Sequence, residues 1–104
     1  MDHQMDSYVL VDEEQVLDFL KAHQGLDRLL MEAYEHIHAY FADSESRLEL
    51  ITDPELGYQQ LLVTVVTPST VDEAMNKLDL FRNDWWLDNL WRANEKLLID
   101  VGIE

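Results

Sequence analysis

The sequence predicts a single α+β domain in the order ααββαβ, its helices packed on one face of a small, mostly antiparallel three-stranded sheet. Three patterns carry this expectation. Apolar residues recur at spacings of three and four from Leu26 to Phe41, as on a helix lying against a core. Residues 60–67 and 97–104 carry apolar side chains at strand spacing. Between them, Thr70-Val71-Asp72-Glu73 has the form of a capping box that opens a further helix.

Taken in order, residues 1–7 are polar and expected to be flexible. Tyr8, Val9, Leu10 and Val11 lead to Asp12, which reads as an N-cap with Gln15 closing a capping box and Val11 stapling onto Val16. A first helix therefore starts near Glu13, carries Val16, Leu17, Phe19 and Leu20, runs to about His23 and is ended by Gly25. On the second helix, Leu26, Leu29, Leu30, Ala33, Tyr34, Ile37, Tyr40 and Phe41 form the apolar face, opposite Arg28, Glu32, Glu35, His36 and Ala39.

A polar break over 43–46 precedes a short strand, Leu48, Glu49, Leu50 and Ile51. Asp53-Pro54-Glu55-Leu56-Gly57 reads as a turn, since Pro54 suits its first corner and Gly57 tolerates positive φ. In the strand from Gln60 to Thr67, Leu61, Val63 and Val65 share one face and Leu62, Thr64 and Val66 the other, which places it inside the sheet. Pro68 stops it, and a third helix follows with Val71, Ala74, Met75, Leu78 and Phe81 as its core side. Asn94 breaks the segment after that helix. Leu97, Ile99, Val101 and Ile103 then alternate with Leu98, Asp100, Gly102 and Glu104 in a last strand. A right-handed crossover into that strand puts the third helix, together with the first two, on one face. Leu62, Val66 and Leu98 on the other face are apolar enough to invite a second subunit.

All three tryptophans, Trp85, Trp86 and Trp91, fall in the stretch Asn83 to Asn94. On a regular helix Trp85, Trp86, Leu87, Leu90 and Trp91 span an arc of about 240°, against roughly 100° for a helix on one core. Such a segment is wedged inside the domain, broken by a turn, or shared with a second chain. These five residues are the candidate core or interface cluster, with Trp86 nearest the centre of the arc.

Composition narrows the function classes. The chain has 104 residues, 47% of them hydrophobic, enough for one folded domain and one core. It has no cysteine, which removes disulfides, thiolate nucleophiles and cysteine zinc sites and fits a reducing cytoplasm. No stretch of the sequence approaches the roughly 20 apolar residues of a membrane span. The net charge of −15 disfavours nucleic-acid phosphates and anionic membranes and favours a basic partner or a simple solubility role.

Residues suited to chemistry are few. His36 and His38, two apart on a helix, project about 200° apart and cannot share a metal alone, so an exposed His36 paired with Glu32 is the expectation. Asp53, Glu55, Asp84 and Asp88 form a candidate polar site, able in principle to hold a divalent cation or act as acid and base. Ordinary roles also suit them: Asp84 as a cap before Trp85, and Asp88 paired with Arg92 at i,i+4. The glycines, at 25, 57 and 102, make no phosphate loop, no serine sits in a nucleophile elbow, and no cofactor is implied.

Asp53-Pro54-Glu55 after a strand, a second apolar strand, and a helix running into Trp85-Trp86-Leu87-Asp88-Asn89 resemble an uncharacterised family of small acidic bacterial, mainly cyanobacterial, proteins. The resemblance covers about Leu48 to Val101. It implies a bacterial cytoplasmic protein, accessory or antitoxin-like, and brings no catalytic residue with it. The expectation is a non-catalytic protein-binding module that forms a homo-oligomer, a dimer first, and takes a basic protein partner. The alternative is a small-molecule hydrolase or metal-dependent enzyme using carboxylates in an oligomer cleft.

Overall fold

A computed structural model of the chain describes residues 8–103. The segment 1–7, expected to be flexible, and Glu104 lie outside the described residues. The elements are β1 (Val9–Leu10), α1 (Glu13–Ala22), α2 (Leu26–Tyr40), β2 (Glu45–Thr52), β3 (Gln59–Thr67), α3 (Val71–Phe81), a π-helical turn (Arg82–Trp86), α4 (Leu87–Ala93) and β4 (Leu97–Ile103).

The α+β class holds, but the sheet differs from the expected one in number and sense. It has four strands in the order β1-β2-β3-β4, and only β2 and β3 are antiparallel; β1 runs parallel to β2, and β4 parallel to β3. The additional strand has two residues, too few for a period of two to show in the sequence. It is anchored by its neighbour Tyr8, whose buried hydroxyl donates to the Leu30 carbonyl at 2.6 Å. Burial, and next the nearby Tyr34, hold that phenol far above its ordinary ionisation range. β2 also starts earlier than expected. Ser46 and Leu48 point inward while Glu45 and Arg47 point outward, so the polar break of the sequence is in part an alternating strand end.

One core lies between the helices and one face of the sheet. Paired positions Leu48, Val63 and Ile99, with Leu61 and Leu97 beside them, are buried against Val16, Leu29, Leu30, Ile37, Leu78 and Phe81. Leu62, Thr64 and Val66 on the opposite face are only half-covered, and Leu98 and Val9 there are 42% and 47% exposed. Both parallel crossovers step the same way across the sheet and share that helical layer, yet β2 and β3 run in opposite directions. The two crossovers therefore have opposite hands. A left-handed one occurs in about 2% of cases, so one of these two connections is of the rare hand.

Local chemistry explains the ends. Thr70 accepts the Glu73 N–H at 3.2 Å and donates to its carboxylate at 3.3 Å, which is the expected capping box. Gly57 has φ +77 and closes the turn by donating its N–H to the Asp53 carbonyl. Asn94 leaves α4 with φ 48. The box expected at Asp12 is absent: Asp12 has φ 52, no side-chain cap, and receives Gln15 and Val16 N–H groups on its backbone carbonyl. On α3 only Ala74, Leu78 and Phe81 are buried, whereas Val71 and Met75, expected on the core side, are exposed.

Candidate functional site

From Val71 to Ala93 the chain is one helical rod interrupted by the π turn. There the Leu87 N–H reaches back five residues to the Arg82 carbonyl, so one extra residue is accommodated in the turn. The tryptophan arc consequently does not bury as one surface. Trp86 is 5% exposed, its ring centroid 6.5 Å from Phe81 and 5.9 Å from Trp85. Trp85 is half-buried at the boundary and stacks on His36, centroids 4.5 Å apart and 16° between planes. Leu87, Leu90 and Trp91 stand outside, with Trp91 77% exposed.

Those last three residues occupy i, i+3 and i+4 on α4 and therefore share one side of it. The Trp91 indole is held by one edge, its Nε1–H donating to the Asp88 carbonyl at 3.1 Å, which leaves the ring faces open. Trp91 and Arg92 border a groove of about 980 Å³, whose other wall comes from Asp27, Arg28, Met31, Glu32 and Glu35 of α2. Met31, 42% exposed, interrupts the charged stripe of that helix. An apolar side chain in that place was a signal in the sequence that periodicity alone passes over.

Arg92 fixes the two walls together. Its Nη1 and Nη2 donate to the two Glu32 carboxylate oxygens at 2.9 and 2.7 Å, and Nη1 also reaches Asn89 at 3.1 Å. This replaces the two expected pairings, Arg92 with Asp88 and Glu32 with His36. The bidentate geometry across helices outcompetes an i,i+4 contact, and the Trp85 ring takes up His36. The Arg92 hydrogen bond, and then its charge, hold the Glu32 carboxyl below its ordinary range; the Arg92 guanidinium is raised in return.

A depressed carboxyl stabilises the fold above its unfolded value and loses that contribution as pH falls through the folded value. Because the Glu32 side chain is 40% exposed, solvent screening limits the pair to about 1 kcal/mol or less. We therefore expect Glu32→Gln to cost at most that amount at pH 7 in urea titrations. The difference from the parent should vanish on the acid side of the carboxylate range. A gap that persisted there would mean that Glu32 acts through packing.

The four carboxylates of the candidate polar site have separate engagements. Asp53 organises its own loop, Oδ1 accepting the Glu55 and Leu56 N–H groups at 2.8 Å each, and Glu55 lies exposed in that loop. Asp84 is not a helix cap, because the rod continues through it; it accepts the Tyr40 hydroxyl, a bond that raises the tyrosine's ionisation. Asp88 is exposed beside Trp91, bonded to it through the backbone. Among the described residues no three acidic or histidine groups converge as a metal site would require. His38 tilts against Tyr34 at 4.4 Å.

No helix of the described residues is long and apolar enough to cross a membrane. No family model matches the chain, and no curated protein or solved structure is significantly similar to it.

Proposed function

We propose that the protein is a non-catalytic binding module that self-associates and takes a basic protein partner in the α2–α4 groove. The observation that carries the reading is Trp91: a large ring, 77% exposed, held by one edge and flanked by Leu87 and Leu90. Tryptophan left in water at such a place contributes little to folding and is a preferred anchor of protein interfaces. The bidentate Arg92–Glu32 pair presents a preorganised wall beside it. Carboxylates of Asp27 and Glu35 line the groove, and the chain's charge of −15 draws cationic partners at long range. The absence of cysteine fits a reducing cytoplasm as the place of action.

The test compares the parent protein with Trp91→Ala. The variant should unfold within about 0.5 kcal/mol of the parent, since an exposed side chain is removed. It should bind the retained partner about 30-fold more weakly, as loss of an interface hot spot of about 2 kcal/mol requires. Association should also slow as salt rises. A partner that binds both proteins equally well would overturn the assignment of the groove.

A further inference from the structure

We propose that the occupant of the α2–α4 groove is a basic amphipathic helix of another protein, laid along α2. Its apolar side chain sits between Met31 and Trp91, and a Lys or Arg one turn to either side meets Asp27 and Glu35. This rests on the groove reading above and assigns the class of the partner. Asp27, Met31 and Glu35 are four apart on α2, so they stand in one row, about 6 Å between neighbours and about 12 Å from end to end. The row reads acid, apolar, acid. Met31 is exposed in it, and Trp91 on the facing wall presents open ring faces.

The other charges of the groove are spent on one another. Arg92 grips Glu32 with both nitrogens, and Arg28, one turn before Glu32, acts on the same carboxylate. Glu35 is exposed and holds no hydrogen bond or ion pair among the described residues. Asp27 commits one oxygen, which accepts the Arg28 N–H at 2.9 Å. The two ends of the row are therefore where an incoming cation finds uncompensated charge.

The walls decide what conformation brings the cations. Both are helices, and beyond the first turn of α2 their backbone groups bond within their own turns, which gives an extended strand no edge to pair with. A helical partner satisfies its own backbone, so only its side chains have to meet the groove. Its cations must then stand seven or eight residues apart, about 10.5–12 Å, with the apolar residue midway. An extended chain covers the same span in about four residues, so charge spacing separates the two. A second copy of this chain lacks the pattern. Helices α1, α2, α3 and α4 each carry a single Lys or Arg, namely Lys21, Arg28, Lys77 and Arg92. None can bracket an apolar residue with two cations, so the occupant is another protein.

The test titrates the full chain with three alanine-rich peptides of about 20 residues, a length that sustains a helix in water. The first carries two lysines eight apart with a leucine midway. The second is the same with a central alanine changed to proline. The third carries the proline and sets the lysines four apart about the leucine, the spacing an extended chain needs. Nuclear magnetic resonance shifts of the α2 amides and the Trp91 indole N–H report binding, and circular dichroism reports the helicity of each peptide. The first peptide should bind at least about tenfold more tightly than the other two, whose helices are broken. Met31→Ala and Trp91→Ala should each weaken it about tenfold or more. The double variant Asp27→Lys, Glu35→Lys should reject it and accept a peptide with glutamates in place of the lysines. If a proline peptide binds as well or better and Trp91→Ala still weakens it, the helix is overturned and the groove reading stands. Equal binding by the parent and Trp91→Ala overturns helix and groove together. No binding by any of the three overturns the helix, and the retained partner of the preceding test then decides the groove by itself.

Discussion

Trp86→Ala should lower the unfolding free energy by about 3–5 kcal/mol, the range for emptying a buried aromatic site. The ring is 5% exposed and lies in the core with Phe81, Leu78 and the inward row of the sheet. It is also one of three stacked or tilted rings, Phe81, Trp85 and Trp86, whose centroids are 5.9 to 6.5 Å apart. Removing it takes away packing from both neighbours as well as its own burial. For a domain with about 5–15 kcal/mol of total stability, this leaves a marginal fold. Urea denaturation read by far-ultraviolet circular dichroism is the measurement. A loss below about 1 kcal/mol would contradict the burial described. The same substitution at Trp91 should leave stability nearly unchanged, so the pair separates packing from recognition within one segment.

Inserting an alanine after Asn83 should be as damaging, about 3 kcal/mol or more, although the Asn83 side chain is exposed. The π turn from Arg82 to Trp86 already holds one residue more than an α-turn. A second surplus residue, continued helically, rotates everything after it by about 100° relative to α3. With Phe81 kept in the core, Trp86 would swing out of it and Arg92 would lose Glu32. Deleting Asn83 is the control: the Leu87 N–H then meets the Arg82 carbonyl at ordinary α spacing, so α4 keeps its phase and the loss should stay near about 1 kcal/mol. The readout is again the urea midpoint, together with the tryptophan emission maximum, which should move to longer wavelength in the insertion variant as Trp86 becomes wet. If the insertion variant kept the parent's stability and emission, the phase set by the π turn would not be what directs Trp86 inward.

These two results bear on how far the fold could be read from residues alone. The helix over 26–40, the capping box at Thr70, the turn closed by Gly57 and the break at Asn94 were all legible. Each is decided by neighbours within a few positions, through apolar period, a hydroxyl near a free N–H, or a tolerated positive φ. Asp12 has the right residue type for a cap but adopts φ 52, because the chain enters α1 directly from a strand paired with β2. β1 itself was hidden, since two residues show no period. The parallel pairing of that strand with β2 was likewise out of reach for as long as it was missing.

The candidate site divides along the same line. That Trp85, Trp86, Leu87, Leu90 and Trp91 form the decisive segment follows from the sequence, because no regular helix on a single core covers an arc that wide. The acidic charge, the single core and the apolar residues on both sides of β3 follow from it too. Only the tertiary structure decided which ring is buried, which stacks on His36 and which faces water. The reason is phase: one extra residue in a turn rotates all later side chains, and nothing in the residue types announces it. Arg92 likewise had a plausible partner four positions away in Asp88, but its bidentate partner Glu32 lies 60 residues back along the chain. Local spacing ranks nearby partners. Three-dimensional packing sets which carboxylate can present both oxygens to a guanidinium, and that geometry wins.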